Sequence, residues 1–196
     1  MFRRQHIVVL LSLSAIGAVA GGCSEDTAAT PQAIFSGRLE IGQGNDCSDS
    51  GDLFAVGDFG NQSVTPKVPV HPVKDGDAFG QGTLSVSCSV KAAGTNEFDI
   101  QGSINLSGAT GGFFTIDGHF KASGDQANIH AIFSSRKTTN TYEETDRQCV
   151  VRFTTPTEGV ANGRMWGDIV CPKVDNPSAG KTCQADAQFR FENCAQ

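Results

Sequence analysis

Cys183-Gln184-Ala185-Asp186-Ala187-Gln188-Phe189-Arg190-Phe191, the stretch CQADAQFRF, decides the fold class of this chain. Cys, Ala, Ala, Phe and Phe occupy its odd positions, and Gln, Asp, Gln and Arg its even ones. Alternation with a period of two puts one set on each side of a pleated strand, so 183, 185, 187, 189 and 191 face a core. A helix would scatter these residues around its circumference.

The same pattern recurs outward from this segment. Strands are expected over 149–153 and 163–171. Ala127–Ser135 and Phe113–Lys121 read as a hairpin with a two-residue turn at Gly124-Asp125. That register pairs Phe120 with Ile129, Gly118 with Ala131 and Ile116 with Phe133. Thr83–Lys91 and Glu97–Leu106 form a second hairpin around a 92–96 loop, with Cys88 opposite Ile100. Ala33–Ile41 is a further strand, and Leu53–Phe59 another. The 60–82 segment holds Pro66, Pro69 and Pro72, which lack the ladder donor, so it reads as an extended surface connection with at most an edge strand. Arg136–Gln148 is a long polar segment. No helical periodicity and no repeat of fixed period are present. About eight or nine antiparallel strands, with 23 Gly for tight turns, imply an all-β chain, an antiparallel β-sandwich with a closed β-barrel as the alternative.

The N-terminus has a different character. Met1–Cys23 reads MFRRQHIVVLLSLSAIGAVAGGC. Arg3 and Arg4 precede an uncharged run from Ile7 to Ala20, which is short for a membrane span. Ala20-Gly21-Gly22-Cys23 resembles the lipobox of bacterial lipoproteins, with Ala20 where Leu is usual. The resemblance covers residues 1–23. It implies that Cys23 receives a diacylglyceryl group, that residues 1–22 are removed, and that the new amine is acylated (palmitate being a typical chain). Ser24 after Cys23 implies an outer-membrane destination, on the periplasmic face or the cell surface. Residues 23–32 then form a lipidated Cys and flexible tether, and 33–196 a single β-rich domain.

Seven cysteines are an odd number for an exported chain. With Cys23 assigned to the lipid, Cys47, Cys88, Cys149, Cys171, Cys183 and Cys194 suit three disulfides in an oxidising compartment. Spacing points to Cys171–Cys183 closing a hairpin, with Cys149–Cys171 as the rival. Cys183–Cys194 is disfavoured because the intervening strand holds the two apart. No C-x-x-C spacing supports zinc.

The whole chain has a net charge of −6. Residues 1–22 contain two Arg and no acid, so the remaining 174 residues carry −8. Nucleic-acid partners select basic patches and are not expected. The expected hairpin register would place His119 and His130 side by side with Asp117 on one outward face, a conceivable metal set, although polar outward residues need no such role. Asp46, Ser48, Ser50 and Gly51 match the start of a calcium loop, but the twelfth position is Gly57 rather than Glu. Glu143 and Glu144 are clustered acids of the kind glycosidases use in pairs, set among solvated basic residues. Trp166 and Tyr142, the sole Trp and Tyr, are the candidates for a sugar-stacking platform, with packing under a loop favoured for Trp166. No nucleophile motif and no cofactor motif occurs. The expected function is therefore a membrane-anchored envelope module that binds or supports an envelope protein or glycan without catalysis. A carbohydrate-binding module and a cell-envelope hydrolase are the alternatives. The longest irregular segments, 60–82 and 136–148, are its candidate binding loops.

Overall fold

The computed structural model describes residues 28–42, 46–61, 63–138 and 141–196. Cys23, and with it the lipobox, lies outside them. Thirteen strands follow in chain order: β1 (Gln32–Glu40), β2 (Gly51–Val56), β3 (Val73–Lys74), β4 (Ala78–Phe79), β5 (Gly82–Gly94), β6 (Glu97–Leu106), β7 (Gly112–Lys121), β8 (Gln126–Ser135), β9 (Tyr142–Glu143), β10 (Cys149–Arg152), β11 (Gly159–Ala161), β12 (Arg164–Asn176) and β13 (Lys181–Glu192). No helix occurs among the described residues. β3, β4, β9 and β11 are only two or three residues long. The other nine are the strands that the alternating pattern anticipates.

All belong to one antiparallel sheet in the order β2-β1-β13-β12-β10-β8-β7-β6-β5-β4. The sheet folds over on itself, so that its inner face becomes the two walls of a sandwich-like body. Phe35 on β1 meets Phe114 on β7 with ring centroids 4.6 Å apart, and Phe114 in turn lies 5.9 Å from Phe189 on β13. Phe35, Phe114, Phe133, Phe189 and Phe191 are all at most 1% exposed. β13 runs between β1 and β12, with Cys183, Ala185, Ala187, Phe189 and Phe191 inward as its parity requires. The walls approach closely where side chains are absent. A Cβ added at Gly102 on β6 would lie 2.7 Å from Met165 Cε and 2.8 Å from the Phe191 ring.

Both hairpin registers differ from the expected ones by two residues. Cys88 faces Gly102, and Ile100 faces Val90. β5 and β6 continue to Gly94 and Glu97, around a turn in which Asn96 takes a left-handed φ of 59°, so the loop is shorter than expected. In the other hairpin Ile116 pairs with Ala131 and Phe114 with Phe133. Its ladder ends at Asp117–His130 because Asn128 turns left-handed (φ 61°) and the Ile129 side chain occupies the space beside Gly118. A slip of two preserves the pleat, so the inward set stays inward.

Three disulfides staple the body: Cys47–Cys183, Cys88–Cys194 and Cys149–Cys171. The Cys171–Cys183 pairing is not formed. A bulge between Cys171 and Val174 sets Cys171 opposite Ala185 and Val174 opposite Cys183. The β12–β13 hairpin also continues to Asn176 and Lys181, so Cys183 lies within the ladder and not at its mouth. Cys171 instead bridges to Cys149 on β10, where Val150 and Val170 are opposed on the adjoining rung.

The 57–72 segment doubles back on itself as an arm. Asp58 pairs with His71 and Asn61 with Val68. The arm covers the outer side of β1, where Ile34 is completely buried although it points away from the core. A Cβ on Gly57 would sit 2.7 Å from the His71 carbonyl oxygen and 3.3 Å from Ile34, and the φ of +70° at this position suits glycine.

Candidate functional site

Two outward surfaces carry some of the polar and aromatic residues that the sequence singles out, His130 and Glu143 on one and Trp166 on the other. The first is the outer face of β5–β8, a groove of about 480 Å³ lined by Ser87, Gln101, Ser103, Thr115, Asp117 and His130 among others. Short hydroxyl side chains on adjacent strands leave it shallow, and Ile116 and Ile132 add apolar surface to its lining. At one end His130 Nδ1 lies 2.6 Å from Asp117 Oδ1 and Nε2 lies 3.1 Å from Glu143 Oε1. Ionised carboxylates only accept, so both ring nitrogens donate when both bonds form, which requires the imidazolium. Partial burial opposes that charge, but the bonds from Asp117 and Glu143 outweigh it and hold the His130 pKa above its ordinary value. Arg147 sits 3.5 Å from the other Asp117 oxygen.

His119 belongs to a different arrangement. Its Nδ1 is 2.9 Å from Asp99 Oδ1 on β6, the register partner of His119, and Nε2 is 3.6 Å from Glu97. The Asp99 bond is the main cause of its raised pKa. His130 is opposite Asp117, not His119, so the expected His119–His130–Asp117 set does not converge. Among the described residues no group of three His, Cys, Asp or Glu could hold a metal ion.

The acids of 143–144 separate for a pleat reason: neighbouring residues point to opposite sides. Glu143 is half-exposed beside His130. Glu144 is 1% exposed, and its Oε1 accepts the backbone N–H groups of Asp146 and Gln148 at 2.8 Å each. Glu144 therefore shapes the 144–148 turn, and the two carboxylates do not face each other across a cleft. Tyr142 is fully buried. It donates its hydroxyl to Asp49 Oδ2 at 2.9 Å, and burial followed by that carboxylate pushes its pKa up to about 12. Such a ring is closed to a sugar, so Tyr142 is no stacking platform. The 46–52 loop is likewise spent on structure: Asp46 pairs with Lys181 at 2.6 Å, and Cys47 is in a disulfide.

The second surface surrounds Trp166. This side chain is half-buried on the outer face of β12, with the Arg190 guanidinium 4.4 Å over its ring. Arg190 Nε also donates to Glu192 at 2.7 Å, and Gln32 Nε2 donates to the other Glu192 oxygen at 2.5 Å. The Trp166 indole N–H is buried and has no hydrogen-bond partner among the described residues. The arm delivers Lys67, Pro69 and Val70 to the same place, and with Arg164 and Thr157 they enclose a pocket of about 460 Å³. Lys67 and Arg164 are exposed and have no carboxylate partner among the described residues. The sequence points to Trp166 but not to its neighbours. Arg190 could have been found from strand parity, whereas Lys67, nearly a hundred positions away along the chain, has no local signal that ties it to Trp166.

No known protein family, curated protein or solved structure matches this chain.

Proposed function

We propose that the chain is an outer-membrane lipoprotein whose disulfide-stapled β-domain is a non-catalytic binding or assembly module for an envelope protein or glycan. The observation that carries the reading is the pairing of cysteines. Six of the seven are consumed in three disulfides within the body. The seventh is Cys23, in the lipobox-like Ala20-Gly21-Gly22-Cys23. An exported chain with a seventh Cys at that position has a chemical use for it, as the thioether carrier of a diacylglyceryl group. Three acyl chains exceed what stable anchoring needs.

The stapled sheet supports the module reading because rigid strands display irregular segments with little conformational cost on binding. The arm at 57–72 and the Glu143–Gln148 stretch beside His130 are two such segments. A glycan module centred on Trp166 finds less support, since Arg190 covers one face of the indole. A hydrolase using Glu143 or Glu144 also finds less, since Glu144 is buried and holds a turn while Glu143 is half-exposed beside His130. Intact mass of the membrane-extracted protein tests the anchor: a chain beginning at Cys23 with three acyl groups is expected. A soluble product beginning at another residue would overturn it.

A further inference from the structure

Resting on the lipid-anchor reading above, we propose that the patch formed by Lys67, Arg164, Trp166 and Arg190 docks on the membrane surface that holds Cys23, with phosphate-bearing lipid headgroups as its ligand.

The chain enters the domain beside this patch. Gln32, the first residue of β1, pairs with Glu192 on β13, and Glu192 pairs with Arg164 on β12. Two strand spacings of about 4.8 Å each therefore put Arg164 about 10 Å from the root of the tether. Trp166 is two residues further along β12, with Arg190 as its register partner. Asn193 holds the preceding Thr30 carbonyl at 3.0 Å, which fixes the chain at this pole of the body. Nine peptide units from Cys23 to Gln32 reach at most about 30 Å when extended. The patch is thus nearer to the tether root than the tether is long, and can meet the bilayer without unfolding any strand.

Charge and chemistry select the occupant. The chain as a whole is acidic, at −6, and most of its surface repels an anionic membrane. In this patch cations gather: Lys67 and Arg164 are exposed and lack carboxylate partners among the described residues, while Arg190 is matched by Glu192. Lys74, opposite Gln32 on β3, adds a fourth cation at the same pole. Acids stand nearby as well, and a carboxylate that accepts a hydrogen bond keeps its charge. Glu192 is matched by Arg190, Asp75 adjoins Lys74, and Glu158, next to the pocket residue Thr157, bonds to Thr154 and Thr155, so the cations without a carboxylate partner are Lys67 and Arg164. Apolar character accompanies the charge. Pro69 and Val70 of the arm line the same pocket as Trp166. Trp166 brings an amphipathic ring of the kind that settles at headgroup level, with a buried N–H that lacks an acceptor among the described residues. Cations, an indole and aliphatic groups beside a lipid anchor suit a phosphate-bearing interface better than a neutral ligand.

Trp166 is the sole tryptophan, so its fluorescence reports this patch alone. The full-length protein, extracted in detergent, is reconstituted into vesicles of phosphatidylcholine or of phosphatidylcholine mixed with phosphatidylglycerol. Both include a phospholipid with a nitroxide quencher at the headgroup. Strong quenching is expected in the anionic vesicles, several-fold weaker in the neutral ones, and it should fall with added salt. Lys67→Glu with Arg164→Glu, both exposed positions, should reduce it to the neutral level without altering the disulfides or the melting temperature appreciably. Quenching that is equal in the two vesicles and insensitive to both substitutions would overturn the proposal, as would its absence. The anchor is read separately by mass. A lipidated protein with unquenched Trp166 rejects the patch and keeps the anchor. An unlipidated protein that still binds anionic vesicles in a salt-sensitive manner rejects the anchor and keeps the patch.

Discussion

His130 shows how much one side chain can acquire from its register. Two carboxylates on different strands meet its two nitrogens, and neither is adjacent to it in sequence. Because its folded pKa is raised, protonation favours the native state. The contribution is fully present below the unfolded histidine value of about 6.5 and is lost as pH rises through the folded value. With a side chain 23% exposed, the stake is about 1 kcal/mol or less. Thermal melts are expected to show lower stability on the alkaline side of this window than on the acid side. His130→Gln should flatten that difference, while His119→Gln, at a more exposed ring, should change it less.

At the scale of elements, the glycine in the middle of β6 sets how closely the walls can approach. Gly102 is opposite Cys88 within its own wall and faces Met165 and Phe191 across the core. Gly102→Ala forces a methyl group within 2.7–2.8 Å of both side chains, and we expect a cost of about 1–3 kcal/mol from overpacking. Chemical denaturation would measure it as a fall in midpoint at constant slope. Gly76→Ala is the contrast. Its Cβ would meet nothing within 4 Å, so its cost is that of the positive φ (+84°) alone.

For the whole molecule the disulfides differ in kind. Cys149–Cys171 joins neighbouring strands across 22 residues, whereas Cys47–Cys183 and Cys88–Cys194 span 136 and 106. The two long bridges interlock: one ties the 46–50 loop to the start of β13, and the other ties β5 to the C-terminus. Loop-closure entropy grows with the logarithm of loop length. Replacing both cysteines of either long bridge by Ala should therefore cost about 1 kcal/mol more than replacing Cys149 and Cys171. Denaturation of the three double variants would check the order, and equal costs would reject it.

Strand alternation, the number of long strands and the residues that face the core were legible in the sequence alone. A period of two is a local property, read residue by residue from stretches such as CQADAQFRF, and a register slip of two leaves it unchanged. The cysteine count was equally local, and it separated Cys23 from the six that pair. The tertiary structure alone decided which cysteines pair, that His119 and His130 occupy separate carboxylate sites, that Tyr142 is buried, and that the proline-rich arm brings Lys67 to Trp166. Each depends on a bulge, a left-handed Asn or a long chain reversal. Such features displace a strand by one or two rungs, or close a distant loop, at a cost of only a few kcal/mol. The pattern of apolar and polar residues along a single strand is blind to displacements of that size.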